Sequence, residues 1–130
     1  MRAWCRAHGP RLVLLGILGL AIGLRFYRLG AQSLWNDEGT SVALAQRDLP
    51  TIALHASQDI HPPLYYVLLH GWIGLVGTSE FAVRALSALA GVAVVGATYL
   101  YVRRRRPSDQ GAALAAALLA AVSPFQVYYA

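Results

Sequence analysis

The sequence predicts an all-α integral membrane protein, and three observations carry that prediction. Of its 130 residues 57% are hydrophobic and only 13% charged, with a mean hydropathy of +0.48. A soluble domain of this size carries about 25% charged residues. The apolar residues are gathered into long runs with the charges pushed between them. Basic residues mark the ends of those runs: Arg2, Arg6 and Arg11 before the first, Arg103 to Arg106 after a later one. The net charge of +5 does not point to nucleic acid, because no arginine alternates with exposed aromatics able to stack bases. The single Cys5 excludes an intrachain disulfide and reads as an incidental cytoplasmic thiol; no CxxC or His/Cys cluster suggests zinc. There is no low-complexity linker and no internal repeat.

Each element follows from the same pattern. Leu12 to Leu24, extended by Phe26, Tyr27 and Leu29 with the flanking arginines snorkelling, gives a helix over about 12–29, roughly 27 Å long. A cleaved signal peptide is the rival, but Arg25 and Arg28 crowd the cleavage region and "LGA" is a poor small-x-small site. Gly19 and Gly23 form a GxxxG pair, a packing face. Residues of about 30–61 form a loop. Within it, Asn36 is a good N-cap for a short helix reaching about Arg47, and Asp48 with Pro50 starts another turn or two through about Ser57. The run 62–77 offers about 15 helical residues, roughly 22 Å, short of the ~30 Å hydrocarbon core. It carries His70 and the interfacial aromatics Tyr65, Tyr66 and Trp72, and reads as an interfacial or short helix. Residues 79–102, roughly 36 Å as a helix, are long enough to cross, with Ser79 as N-cap and Glu80 at the positive end of the dipole. A last helix starts near Gln110 and runs to about 130, kinked at Ser123-Pro124.

Charge orients these elements. The positive-inside rule places both the N-terminal arginines and the Arg103–Arg106 quartet in the cytoplasm, which requires an even number of crossings between them. Helices 12–29 and 79–102 supply two, so 62–77 lies at the outer interface. Residues 25–61 are then extracytoplasmic, with three arginines (25, 28 and 47) against four acids (37, 38, 48 and 59), net −1. The chain is predicted to be a multi-pass protein of the plasma or inner membrane, its partner the lipid bilayer.

The outer loop holds the chemistry. Asp37 and Glu38 are adjacent acids in a chain with only six. A plain structural reading exists: acids in a first helical turn are favoured by the macrodipole by a few tenths of a kcal/mol each. Beside a bilayer surface they can also meet the head group of a lipid-borne substrate, and partial desolvation raises a carboxylate pKa toward general-base values. Arg84 lies four residues after Glu80, the spacing of a plain helix ion pair, and that reading stands ahead of contact with a lipid phosphate. His55 and His70 lack metal-ligand spacing and suit core or interface roles.

"LWNDEGTSVALAQ", followed by "HPPLYYVLLHGWIGLVGTSEFAVRALSALAG", resembles the N-terminal part of the GT-C-fold glycosyltransferases of the dolichyl-phosphate-mannose protein mannosyltransferase and aminoarabinose transferase superfamily, over roughly 12–130. The resemblance implies a GT-C-type fragment with a juxtamembrane helix in its first outer loop. It implies a sugar donor on a polyprenyl phosphate, Asp37 as catalytic base, and Glu38 orienting the acceptor or, in some relatives, helping to hold a metal. No metal is required by the sequence, and the acceptor (a lipid, glycan or protein hydroxyl) is left open. His61 of the "HPP" element could bond a phosphate or the acceptor. Asp59 stands near an acid of some relatives, and Arg84 and Tyr65 complete the substrate-binding candidates. Such enzymes run to several hundred residues, so residues 1–130 read as the N-terminal part of one such domain, expected to insert but not to transfer sugar alone. Two rivals come from other classes. One is a non-catalytic membrane interaction protein or remnant, against which the paired acids and HPP element speak. The other is a transporter, which would place ionisable residues at the midplane, where "ALAGVAVVGA" and "AALAAALLAA" have none.

Overall fold

The structure is a computed structural model that describes residues 2–27, 29–56 and 63–128. These form seven helices, and among the described residues there is no strand: α1 (Arg2–Phe26), α2 (Asn36–Ala45), α3 (Leu49–Ala56), α4 (Pro63–Val76), α5 (Glu80–Arg105), α6 (Gln110–Val122) and α7 (Pro124–Tyr128). Two are long and apolar enough to cross a membrane, Gly9–Phe26 within α1 and Glu80–Arg105, whereas α4 and α6 are shorter. Only 17% of each long span is buried against protein, which separates both from the core helix of a soluble domain.

The chain divides into two compact units, with the division inside α5. The first comprises Met1–Tyr27 and Ser87–Ala130. Its core is a seam of small residues: Ala113, Ala117 and Ala121 lie four apart on one buried face of α6, and Ala117 and Ala121 meet Ile17 and Ala21 of α1 and Val95 of α5. Alanine at that spacing lets backbones approach closely, the means by which helices associate where lipid removes the hydrophobic drive. Asp109 starts α6, its Oδ1 accepting the Ala112 N–H at 2.9 Å. Ser123 and Pro124 end α6 and begin α7, the interruption anticipated from the missing proline N–H. Two expectations are corrected. Helix α1 starts at Arg2 rather than about 12 and passes through Pro10. Arg25 does not snorkel: it is 3% exposed, drawn inward by backbone carbonyls of α6.

The second unit, Arg28–Leu86, contains α2, α3, α4 and the first turns of α5. Val42 and Ala45 of α2 pack on Leu69 and Ile73 of α4 and Val83 of α5, while Ile52 of α3 packs on Tyr66. Polar groups tie the helix ends to this core. His70 Nδ1 lies 2.7 Å from the Ala45 carbonyl at the end of α2, and Trp72 Nε1 donates to the Ala82 carbonyl at 2.7 Å. Gly77, at φ 90°, ends α4 in a left-handed conformation that glycine tolerates. Ser79 caps α5 as expected, its Oγ accepting from the Ala82 N–H. Helix α4 has 14 residues, roughly 21 Å, again short of the hydrocarbon core.

Candidate functional site

The acidic pair opens α2, one residue later in the helix than an Asn36 cap predicts. The helix starts at Asn36 itself, Trp35 occupies the cap, and Glu38 Oε2 accepts the Trp35 backbone N–H at 2.8 Å. The third-position glutamate thus does half of what a capping box does, and Asn36's side chain is not needed for it.

Adjacent helical residues point about 100° apart, so Asp37 and Glu38 belong to different faces. Glu38 shares a stripe with Val42 and Ala45, both buried, and faces inward. There it meets Arg84: Nε donates to Oε1 at 2.8 Å and one terminal nitrogen to Oε2 at 2.7 Å, a two-pronged ion pair. The remaining Arg84 N–H groups go to the carbonyls of Leu29 (2.9 Å), Gln32 (2.8 Å) and Ser33 (3.1 Å). An arginine has five N–H donors, and all five are used. That overturns the expected Glu80 pair: four-residue spacing favours Glu80 on an isolated helix, but a partly buried, bidentate carboxylate outcompetes it. It also commits Arg84 to the loop rather than to a lipid phosphate. The Arg84 guanidinium, with help from the Trp35 N–H, holds the Glu38 carboxyl below its ordinary range, the opposite direction from a raised general base.

Asp37 lies on the other face, with Thr40, Leu44 and Arg47 at spacings of three, four and three. These three residues line a groove of about 520 Å³ with Ala43, Thr51, His55 and Tyr66. Asp37 is exposed at the start of that stripe, and among the described residues no hydrogen bond or ion pair engages its carboxylate. At the far end Asp48 starts α3, its carboxyl held below its ordinary value by hydrogen bonds to Thr51.

The structure therefore brings together Glu38 and Arg84 and leaves Asp37 on the neighbouring face of α2. Tyr65 is half-buried between the two packing clusters of the second unit, edge-on to Tyr66 with centroids 5.5 Å apart. Asp59 and His61 lie outside the described residues. Sequence reasoning missed the three loop carbonyls and the groove. The Thr40–Leu44–Arg47 stripe was readable from helical spacing; the carbonyls carry no side-chain signal. Glu38 is committed to Arg84 and the Trp35 N–H.

The family model described as dolichyl-phosphate-mannose-protein mannosyltransferase matches residues 60–130, more than half of the chain. The chain belongs to that family. This mannosyltransferase-family chain is accordingly a mannosyltransferase-like glycosyltransferase and a membrane protein. The matched stretch contains His61, Tyr65 and Arg84; Asp37, Glu38 and Asp59 precede it. No curated protein and no solved structure matches the chain.

Proposed function

We propose that the chain takes part in the transfer of a sugar from a polyprenyl-phosphate donor to a hydroxyl acceptor at the outer membrane face, with Asp37 as the base. One observation carries this reading: of two adjacent acids, Glu38 is clamped by Arg84, whereas Asp37 is exposed and, among the described residues, unengaged, on the helix face whose Thr40, Leu44 and Arg47 line a groove. Asp37 takes the acceptor's proton as that oxygen attacks the anomeric carbon. The bond from that carbon to the phosphate oxygen breaks with inversion, and polyprenyl phosphate leaves with the electron pair. Glu38, through Arg84, holds the loop 29–35 and fixes the start of α2, so that Asp37 is presented in one geometry. His61 and Asp59 enter as substrate-binding groups on their sequence assignment, and Tyr65 through its place at the start of α4. No step runs through a metal. The arrangement fits a topology in which residues 31–60 are outside, Arg103–Arg106 are inside and α4 does not cross, within a GT-C-type domain.

The test is Asp37→Asn in the protein expressed from its own gene, assayed in native membranes with a polyprenyl-phosphate mannose donor. Removing a positioned base lowers turnover by about 10²–10⁴-fold. Loss of a first-turn charge alone costs under about 1 kcal/mol of stability and leaves turnover intact. An Asp37→Asn protein at normal membrane level with most of its activity overturns the assignment.

A further inference from the structure

Arg25, near the end of α1, is 3% exposed, and among the described residues none of its partners is a carboxylate. One terminal nitrogen donates to the Ala121 carbonyl at 3.1 Å and, more weakly, to Ala21 of its own helix at 3.4 Å. The other donates to the Ala120 carbonyl at 3.3 Å and reaches Gln126 Oε1 on α7 at 3.5 Å. Nε is buried without a partner among the described residues. A charge buried this way is costly unless its surroundings replace water.

The choice of carbonyls supplies the reason. In an unbroken helix Ala120 would accept from the N–H of residue 124, and that residue is proline, which has none. Ala121 lies in the same last turn, where carbonyls lack internal partners and the dipole presents its negative end. An α1 side chain thus answers the vacancy that Pro124 creates in α6, and the same guanidinium also touches the first residues beyond the break.

We propose that Arg25 is a latch on the α6–α7 hinge: it replaces the donor that Pro124 lacks and, through Gln126, lets α1 set the angle at which α7 leaves α6. The unpartnered Nε keeps the latched state incompletely satisfied, so the contact is releasable rather than permanent. The inference goes beyond the sugar-transfer reading and does not depend on it.

Spin labels at Leu20→Cys and Tyr128→Cys, in a Cys5→Ser chain reconstituted in bilayers, read the distance between α1 and α7. The native latch gives one narrow distribution. Arg25→Met, neutral and of similar reach, populates a second distance and shifts the latched-to-released ratio about tenfold or more. Pro124→Ala restores the N–H that Ala120 lacks, so Arg25→Met/Pro124→Ala returns to a narrow distribution at a new centre. An unchanged distribution in Arg25→Met, or a double variant as broad as the single one, overturns the proposal. Should Arg25→Met fail to insert, Gln126→Leu decides: it removes the α7 acceptor that Arg25 reaches, so a broadened distribution supports the latch and an unchanged one overturns it.

Discussion

Removing either partner of the Glu38–Arg84 pair should destabilise the second unit, but by unequal amounts. Their side chains are 32% and 14% exposed, so the pair is neither a solvated surface bridge nor a fully buried one. Breaking a buried pair by deleting one partner costs about 3–5 kcal/mol. Arg84→Met strands a carboxylate and three carbonyls, and with solvent reaching Glu38 the loss should be about 2–4 kcal/mol. Glu38→Gln leaves one oxygen, able to accept the Trp35 N–H and one Arg84 N–H, and sets an amide NH2 against the other Arg84 donor, and should cost about 1–2 kcal/mol. The double variant should show a coupling of about 1–2 kcal/mol. The assay is unfolding in mixed detergent micelles, followed by tryptophan fluorescence, since Trp35 donates to Glu38 and Trp72 packs in the adjoining core. A pH series adds a sign. Glu38 is held below its ordinary value of 4.5, so its stabilisation is complete above that value and is lost as pH falls through the lower folded value. Glu38→Gln should flatten that acid limb. Strict additivity, or a Glu38→Gln loss equal to that of Arg84→Met, refutes the clamp.

Asp109→Ala removes the acceptor that caps α6 at Ala112 and should cost about 1 kcal/mol, read as a lowered midpoint of unfolding in the same micelles. Leu69→Ala empties a fully buried position of the α2–α4 core and should cost about 2–5 kcal/mol in that assay. For topology, single cysteines at Gln46 and Ser108 in a Cys5-free background should react differently with an impermeant reagent applied outside, the first labelled and the second protected. Equal labelling refutes the two-crossing arrangement.

What could be read from sequence was whatever depends on composition and local spacing. The two long spans, the shortness of α4, the Ser79 cap and the break at Ser123-Pro124 rest on apolar run length, hydroxyl capping and a missing N–H, and all are present. Three misreadings share a cause. Glu80 was the expected partner of Arg84, Asn36 the expected cap, and Arg25 an expected snorkelling flank; each rule considers one helix alone. The structure answers each with a partner distant in sequence or supplied by backbone: Glu38 lies 46 residues from Arg84, and Ala121 lies 96 from Arg25. Arginine is the residue for which local rules fail most readily, because five donors on a long stem can be met by carbonyls that leave no mark on a sequence.

The same geometry explains why two neighbouring acids need not be redundant. Their difference is one of phase. Glu38 continues the Val42–Ala45 stripe that α4 and α5 cover, so a longer side chain there reaches Arg84, the Trp35 N–H and, through Arg84, the loop from Leu29 to Ser33. Asp37 continues the Thr40–Leu44–Arg47 stripe that borders the groove, so the shorter acid is left toward open space. Exchanging the two would preserve charge and composition, yet an aspartate at 38 is one methylene, about 1.5 Å, too short to make the same bidentate contact. Reach and burial at 38 and access at 37 come from one turn of helix, which turns consecutive residues into different surroundings, as the proposed division into clamp and base requires.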